Sequence, residues 1–181
     1  MSGQQLGESG LPHARDAAQR AADGAVDDGV SFILKSTRQR PQTEAELRGK
    51  LAARGAPPDV IDEAVSRAAA LGAVDDRAFA CAWVEERGGT RGYGAARLRE
   101  ELRRRQVPDD LVDEALAGIA DRDEEAVAEH LARERVTRLP SDLPPEKVAQ
   151  RISGFLQRRG HGPAVATRVA RRISGLDREW D

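Results

Sequence analysis

Apolar residues recur three and four positions apart along most of this chain, the spacing that lines one face of a helix. Val60, Ile61, Ala64, Val65, Ala68 and Leu71 keep it, as do Phe79, Trp83 and Val84, then Val127, Leu131 and Val136. Val148, Ile152, Phe155 and Leu156 form another stripe, and Val165, Val169 and Ile173 the last. No segment alternates apolar and polar residues for long enough to suggest a strand, so the pattern predicts an all-α fold. The stops and starts between stripes are helix signals. Thr43 and Glu46 have capping-box spacing, in which each side chain serves the other's backbone N–H. Gly55 suits a left-handed helix end, and Pro57-Pro58 suits a first turn whose N–H groups are unpaired anyway. Asp75 or Asp76 then opens a helix. Others are expected over about Gly94–Arg105, Asp109–Ile119 and Asp121–Leu139. Pro140–Pro145 and Gly160–Pro163 break the chain before the final two.

Part of this pattern is written twice. Leu47–Val65 aligns without a gap on Leu98–Leu116 at a shift of 51 residues, and nine positions are identical, among them Leu51/Leu102, Arg54/Arg105 and Pro57/Pro108. A fainter third copy follows at Ile152–Val169, where Leu156 and Arg159 lie 54 residues after Leu102 and Arg105. A period near 50 residues means one supersecondary unit used repeatedly. The expected organisation is three three-helix modules over 29–72, 73–120 and 121–176. Residues 1–28, rich in Gly, Ser, Gln, Ala and charge, read as a disordered tail, and 177–181 as a short C-terminal tail. The first helix of module one is expected only at Gly29–Thr37.

Composition fits helices with solvated faces: 33% of the 181 residues are charged and 3% are aromatic. No apolar run approaches the ~18 residues of a membrane span. No secretory signal is visible, and a cytoplasmic location is expected. The lone Cys81 is expected to be a small buried residue. Trp83 reads as core rather than as a binding platform.

The net charge of −2 conceals a segregation of sign. Ten acids and two bases occupy Asp109–Glu134, whereas seven bases and no acid occupy Lys147–Arg172. Arg97, Arg99, Arg103, Arg104 and Arg105 form another cluster. Basic stripes of this kind are an electrostatic footprint of nucleic-acid contact. They also suit solvated helix faces, or pairing with the acidic block.

Catalytic constellations are not visible. His13, His130 and His161 are scattered, and no Cys/His set has zinc spacing. Asp75/Asp76 and Asp109/Asp110 read as helix caps. Gly88–Gly94 is glycine-rich, but no strand precedes it and no Lys-Ser/Thr follows, so it reads as a flexible helix–helix connection. The expectation is a binding protein, not an enzyme, with no cofactor and no metal.

The repeated lines carry a family resemblance. Leu71-Gly72 followed by Asp76-x-x-Phe79-Ala80-x-x-Trp83-Val84-x-x-Arg87 resembles the signature of the RecX family of recombinase regulators. Arg40-Pro41-Gln42-Thr43-x-x-Glu46-Leu47-x-x-x-Leu51-x-x-Arg54-Gly55 resembles its first-module line. Leu98-x-x-Glu101-Leu102-x-x-x-Gln106-Val107 resembles the second, and Phe155-Leu156-x-Arg158-Arg159-Gly160 the third. The motifs follow the family's order across roughly Gly29–Ser174. Gln106 stands where the family usually has glycine, His161 where an aromatic is usual, and Gln42 where a base is common.

The resemblance implies tandem three-helix units in an elongated, curved arrangement that lie along the RecA–DNA filament. It implies a monomer that lowers RecA's ATPase, strand-exchange and co-protease activities in DNA repair, homologous recombination and the SOS response. The partners implied are RecA and the single-stranded DNA within the filament, with weak direct DNA binding and no membrane. The contact candidates are Arg97, Arg103, Arg104 and Arg105, then Arg158, Arg159, Arg168, Arg171 and Arg172, with Arg54, Arg87 and Arg91 behind them. A different class, a stand-alone DNA-binding regulator built on a helix-turn-helix plan, predicts tight, salt-dependent binding to duplex without RecA. A helical adaptor would bind neither.

Overall fold

A computed structural model of the chain describes residues 11–178. Among the described residues it contains nine α-helices and no strand. The expected disorder of Met1–Gly10 lies outside them, as do residues 179–181 of the expected C-terminal tail. Two compact units divide the chain, Met1–Asp75 and Asp76–Asp181.

The first unit holds α1 (Leu11–Gln39), α2 (Glu44–Ala53) and α3 (Pro58–Ala70). Thr43 and Glu46 form the expected capping box at the start of α2. Gly55 ends that segment with φ +82°, in the left-handed region. Over Leu11–Asp28 the expectation of a disordered tail fails, because α1 is continuous for 29 residues. Two causes act together. Ala17, Ala18, Ala21, Ala22 and Ala25 favour helix intrinsically. Tertiary packing then fixes the C-terminal half, with Val26 and Ile33 buried in the same cluster as Leu47, Ile61, Ala64 and Val65. Gly29 lets α1 approach α3 so closely that a Cβ there would lie 2.8 Å from that of Ala64. Leu71, expected on the apolar stripe, caps α3 and is 66% exposed.

The second unit contains two modules, each with its own core. Module two comprises α4 (Asp76–Val84), α5 (Ala95–Arg104) and α6 (Asp109–Ala117) around Phe79, Val84, Leu98, Leu102 and Val112. Module three comprises α7 (Glu124–Val136), α8 (Pro145–Arg158) and α9 (Pro163–Ser174) around Leu131, Ile152, Leu156 and Val169. The repeat is visible in ion pairs as well as cores. Arg48 binds Asp62 in module one, and Arg99 binds Asp113 at the equivalent positions 51 residues later. Cys81 is exposed, contrary to expectation: on α4 it follows the buried Ala80 by one position and so points off the apolar stripe. Asp109 and Asp110 lie in the first turn of α6 and do not cap it; Pro108 holds the cap position.

Candidate functional site

Each module stacks arginine on an aromatic ring. In module one the Arg54 guanidinium lies 4.6 Å from the centre of the Phe32 ring. In module two Trp83, 51 residues after Phe32, has Arg87 at 3.6 Å and Arg105 at 4.3 Å. Glu101 ties this group together. It accepts from the Trp83 indole N–H at 3.2 Å, from Arg87 at 3.4 Å and from Arg97 at 3.0 Å. In module three the ring moves to the middle helix, where Phe155 has Arg159 at 4.9 Å and Arg135 at 5.6 Å. A cation over an aromatic face is worth about 0.5–2 kcal/mol, depending on desolvation. Arg54, Arg87, Arg105 and Arg159 therefore hold helices together as well as offering charge.

Most of the other candidate arginines are paired within the chain. Arg91 meets Glu86 at 3.2 Å, Arg103 meets Asp109 at 2.8 Å, and Arg104 meets Glu100 at 3.4 Å. On α9, Arg168 binds Glu125 at 2.8 Å, and Arg172 binds Glu125 at 2.7 Å and Glu129 at 3.3 Å. Arg171 meets Asp177 at 2.9 Å. Part of the segregated charge thus meets across α7 and α9, the pairing with the acidic block that the charge pattern also allowed. Hydrogen bonds from Arg168 and then Arg172 hold the Glu125 carboxyl below its ordinary range, as the bond from Arg103 does for Asp109. These pairs are exposed to solvent, so water and salt screen them. Arg158 is exposed, and no carboxylate pairs with it among the described residues.

A third set of contacts joins modules two and three. The Gly94 N–H donates to the carbonyl of Arg159 at 2.8 Å. Arg159 donates from its side chain to the Arg91 carbonyl at 2.5 Å, and Arg97 to the Arg158 carbonyl at 3.2 Å. His161 is buried, with Nε2 3.1 Å from the Gly92 carbonyl oxygen, and Glu124 accepts from the Gly162 N–H at 2.9 Å. The glycine-rich segment is therefore no loose connection. Its first residues, Gly88–Thr90, finish the π-helical turn Glu85–Thr90, and Gly92 and Gly94 are bonded to the next module. Sequence reasoning missed Gly94, Glu124 and His161 here. The one available signal was that Gly94 and Gly160 each stand beside a basic cluster.

Among the described residues no group of three or more His, Cys, Asp or Glu side chains is placed to hold a metal ion. No described helix is long and apolar enough to cross a membrane.

Comparison with known proteins gives one consistent result. Residues 75–116 match the family model of the second three-helix domain of RecX, and residues 39–67 that of the first. The chain is 36% identical to the regulatory protein RecX of Mycolicibacterium vanbaalenii, over 93% of this chain and 95% of the relative. It is 38% identical to that of Mycobacterium ulcerans, over 83% and 86% of the two chains. Among solved structures it is similar to RecX from Lactobacillus salivarius, with a TM-score of 0.73 at 18% identity over 83% of this chain and 97% of that one. A second crystal structure of a regulatory protein RecX has a TM-score of 0.77 at 21% identity, over 93% and 81%.

Proposed function

The chain belongs to the RecX family of regulatory proteins, and from that premise we propose that it binds the RecA filament assembled on DNA and restrains RecA's recombinase, ATPase and co-protease activities. The observation that supports this best is the extent of the likeness: the alignment to the Mycolicibacterium vanbaalenii protein covers 93% of this chain, too much to leave out any one module. The physical reading agrees. A filament groove around a polyanion suits a ligand made of similar small modules, because contacts that are weak singly add through effective concentration. Arginine suits the contacts, since its planar fork pairs with phosphate or carboxylate through two bonds. In this reading the cytoplasmic protein acts as a monomer, needs no cofactor and hydrolyses nothing itself.

The test is single-strand-dependent ATP hydrolysis by the RecA of the same organism, titrated with this protein. Inhibition well below one copy per RecA is expected. Unchanged hydrolysis, with tight binding to duplex alone, overturns the proposal in favour of a stand-alone DNA-binding regulator.

A further inference from the structure

The repeat allows one helix face to be compared position by position in all three modules. At and just before the middle helix, module one carries Gln42, Glu46, Gly49 and Ala53. Module two carries Tyr93, Arg97, Glu100 and Arg104 at the same places, and module three Lys147, Arg151, Gly154 and Arg158. Steps of four, three and four residues put the α8 set on one side of its helix, opposite the buried Ile152 and Leu156. Module one has no cation on this face. Module two has two, and both are neutralised, Arg97 by Glu101 at 3.0 Å and Arg104 by Glu100 at 3.4 Å. In module three Lys147, Arg151 and Arg158 are all exposed, and among the described residues no carboxylate pairs with any of them.

Gly154 adds a second, independent observation. Glycine inside a helix weakens it relative to alanine, so its presence asks for a reason. A Cβ at Gly154 would meet only the guanidinium of Arg158, at 3.2 Å. The missing side chain lets the Arg158 guanidinium lie against the helix on the exposed side of α8, where an external partner can reach it.

We infer that the Lys147–Arg151–Gly154–Arg158 ridge of α8 is a contact for the phosphate backbone of a single DNA strand, and that the arginines of α9 are not. The ridge runs about 16 Å along the helix at 1.5 Å per residue, enough for successive phosphates of one strand. It is one residue wide, which fits one strand rather than two. It contains no apolar side chain, whereas the buried centre of a protein–protein interface is depleted in charge and rich in aromatic and aliphatic groups. With no side chain at Gly154, a phosphate held by the Arg158 fork can lie close to the helix. On α9 the equivalent capacity is already taken up, because Glu125 and Glu129 occupy Arg168 and Arg172. This assignment deepens the proposed function by naming its nucleic-acid contact and rests on that reading for its setting.

The experiment is fluorescence anisotropy of the full-length protein with fluorescein-labelled oligothymidylate across a salt series, without RecA. The ridge variant combines Lys147→Gln, Arg151→Gln and Arg158→Gln. The reference variant combines Arg168→Gln, Arg172→Gln, Glu125→Gln and Glu129→Gln, which keeps the net charge. Circular dichroism confirms that both retain helix. Each single-strand phosphate contact contributes about 0.7 to the slope of log K against log salt, so the ridge variant should lose about 2. The reference variant should keep the parent slope. An unchanged slope in the ridge variant, an equal loss in the reference variant, an effect confined to duplex DNA, or no binding of oligothymidylate by the parent protein at low salt would each overturn the inference. RecA hydrolysis is read separately. Inhibition that survives alongside an unchanged slope defeats the ridge and leaves the proposed function standing. A shallower slope without any inhibition by the parent protein does the reverse.

Discussion

Gly94 and Gly160 meet backbone to backbone, and modules two and three are joined through that contact. A Cβ added to Gly94 would collide with the carbonyl oxygen of Gly160, and one added to Gly160 would fall 2.5 Å from Arg97. Close approach is what allows the Gly94 N–H to reach the Arg159 carbonyl at 2.8 Å. Backbone cannot yield as a flexible side chain does. Gly94→Ala should therefore destabilise the second unit by about 1–3 kcal/mol, the usual range for forced overpacking. The check is a thermal melt: a midpoint within error of the parent protein would show that the contact is not fixed.

Gln106 is the one described non-glycine residue with positive φ, at 58°. Its equivalents in the repeat are Gly55, at φ +82°, and Gly160, at φ +87°. The backbone turn is kept while the residue that suits it is lost. A side chain in the left-handed region costs about 1–2 kcal/mol. Glycine gives back about 0.5–1 kcal/mol through its freer unfolded chain. Gln106→Gly should therefore stabilise the protein by up to about 1 kcal/mol. A urea titration reads this as a higher midpoint at unchanged slope, and a lower midpoint contradicts it.

What could be read from the sequence divides by the range of the interaction. The capping box of Thr43 and Glu46, the stop at Gly55 and the stripe Ile152–Leu156 are local, and each stands where the spacing put it. Val26 was illegible because its burial depends on α3, some 40 residues later, while its neighbours in sequence are mostly polar. Leu71 failed in the opposite sense: its spacing is right, but the helix ends one residue before it. The charge blocks announced that acids and bases are sorted. They did not say that Glu125 would meet Arg168, since that pairing needs α7 and α9 to lie side by side. Of the twelve arginines chosen by resemblance, the structure separates those spent on rings and carboxylates from Arg158, and it brings in Arg151 and Lys147, which only the aligned faces of three modules expose.

His161 makes the joint between modules two and three sensitive to acid. Burial first of all disfavours its imidazolium and lowers its pKa. Arg159 adds to this, while Glu124 and the Gly92 carbonyl oppose it without reversing it. The folded protein thus binds fewer protons than the unfolded chain below the ordinary histidine pKa. The associated stability is complete above about pH 6.5 and declines as the pH falls from there. His161→Gln should flatten the dependence of the melting midpoint on pH between about 6.5 and 5, whatever it does to the midpoint itself. An undiminished dependence in that window would assign it to another group.

The pairing of α7 with α9 answers to a lower window. Glu125 has its pKa depressed by the hydrogen bonds of Arg168 and then Arg172. A depressed carboxyl contributes stability above its unfolded pKa, about 4.3, and loses it as the pH falls through the folded value. The protein should therefore lose a second portion of its stability below about pH 4.5. The combined Glu125→Gln and Glu129→Gln variant should remove much of that loss while leaving the window near pH 6 intact. The same variant frees Arg168 and Arg172 at neutral pH. If the acids of α7 restrain α9 from polyanions, the variant should bind oligothymidylate more tightly and with a steeper salt slope than the parent protein. Both readouts come from one pair of carboxylates. A flattened acid limb with unchanged DNA binding would mean that the pairs hold module three together without governing what it touches.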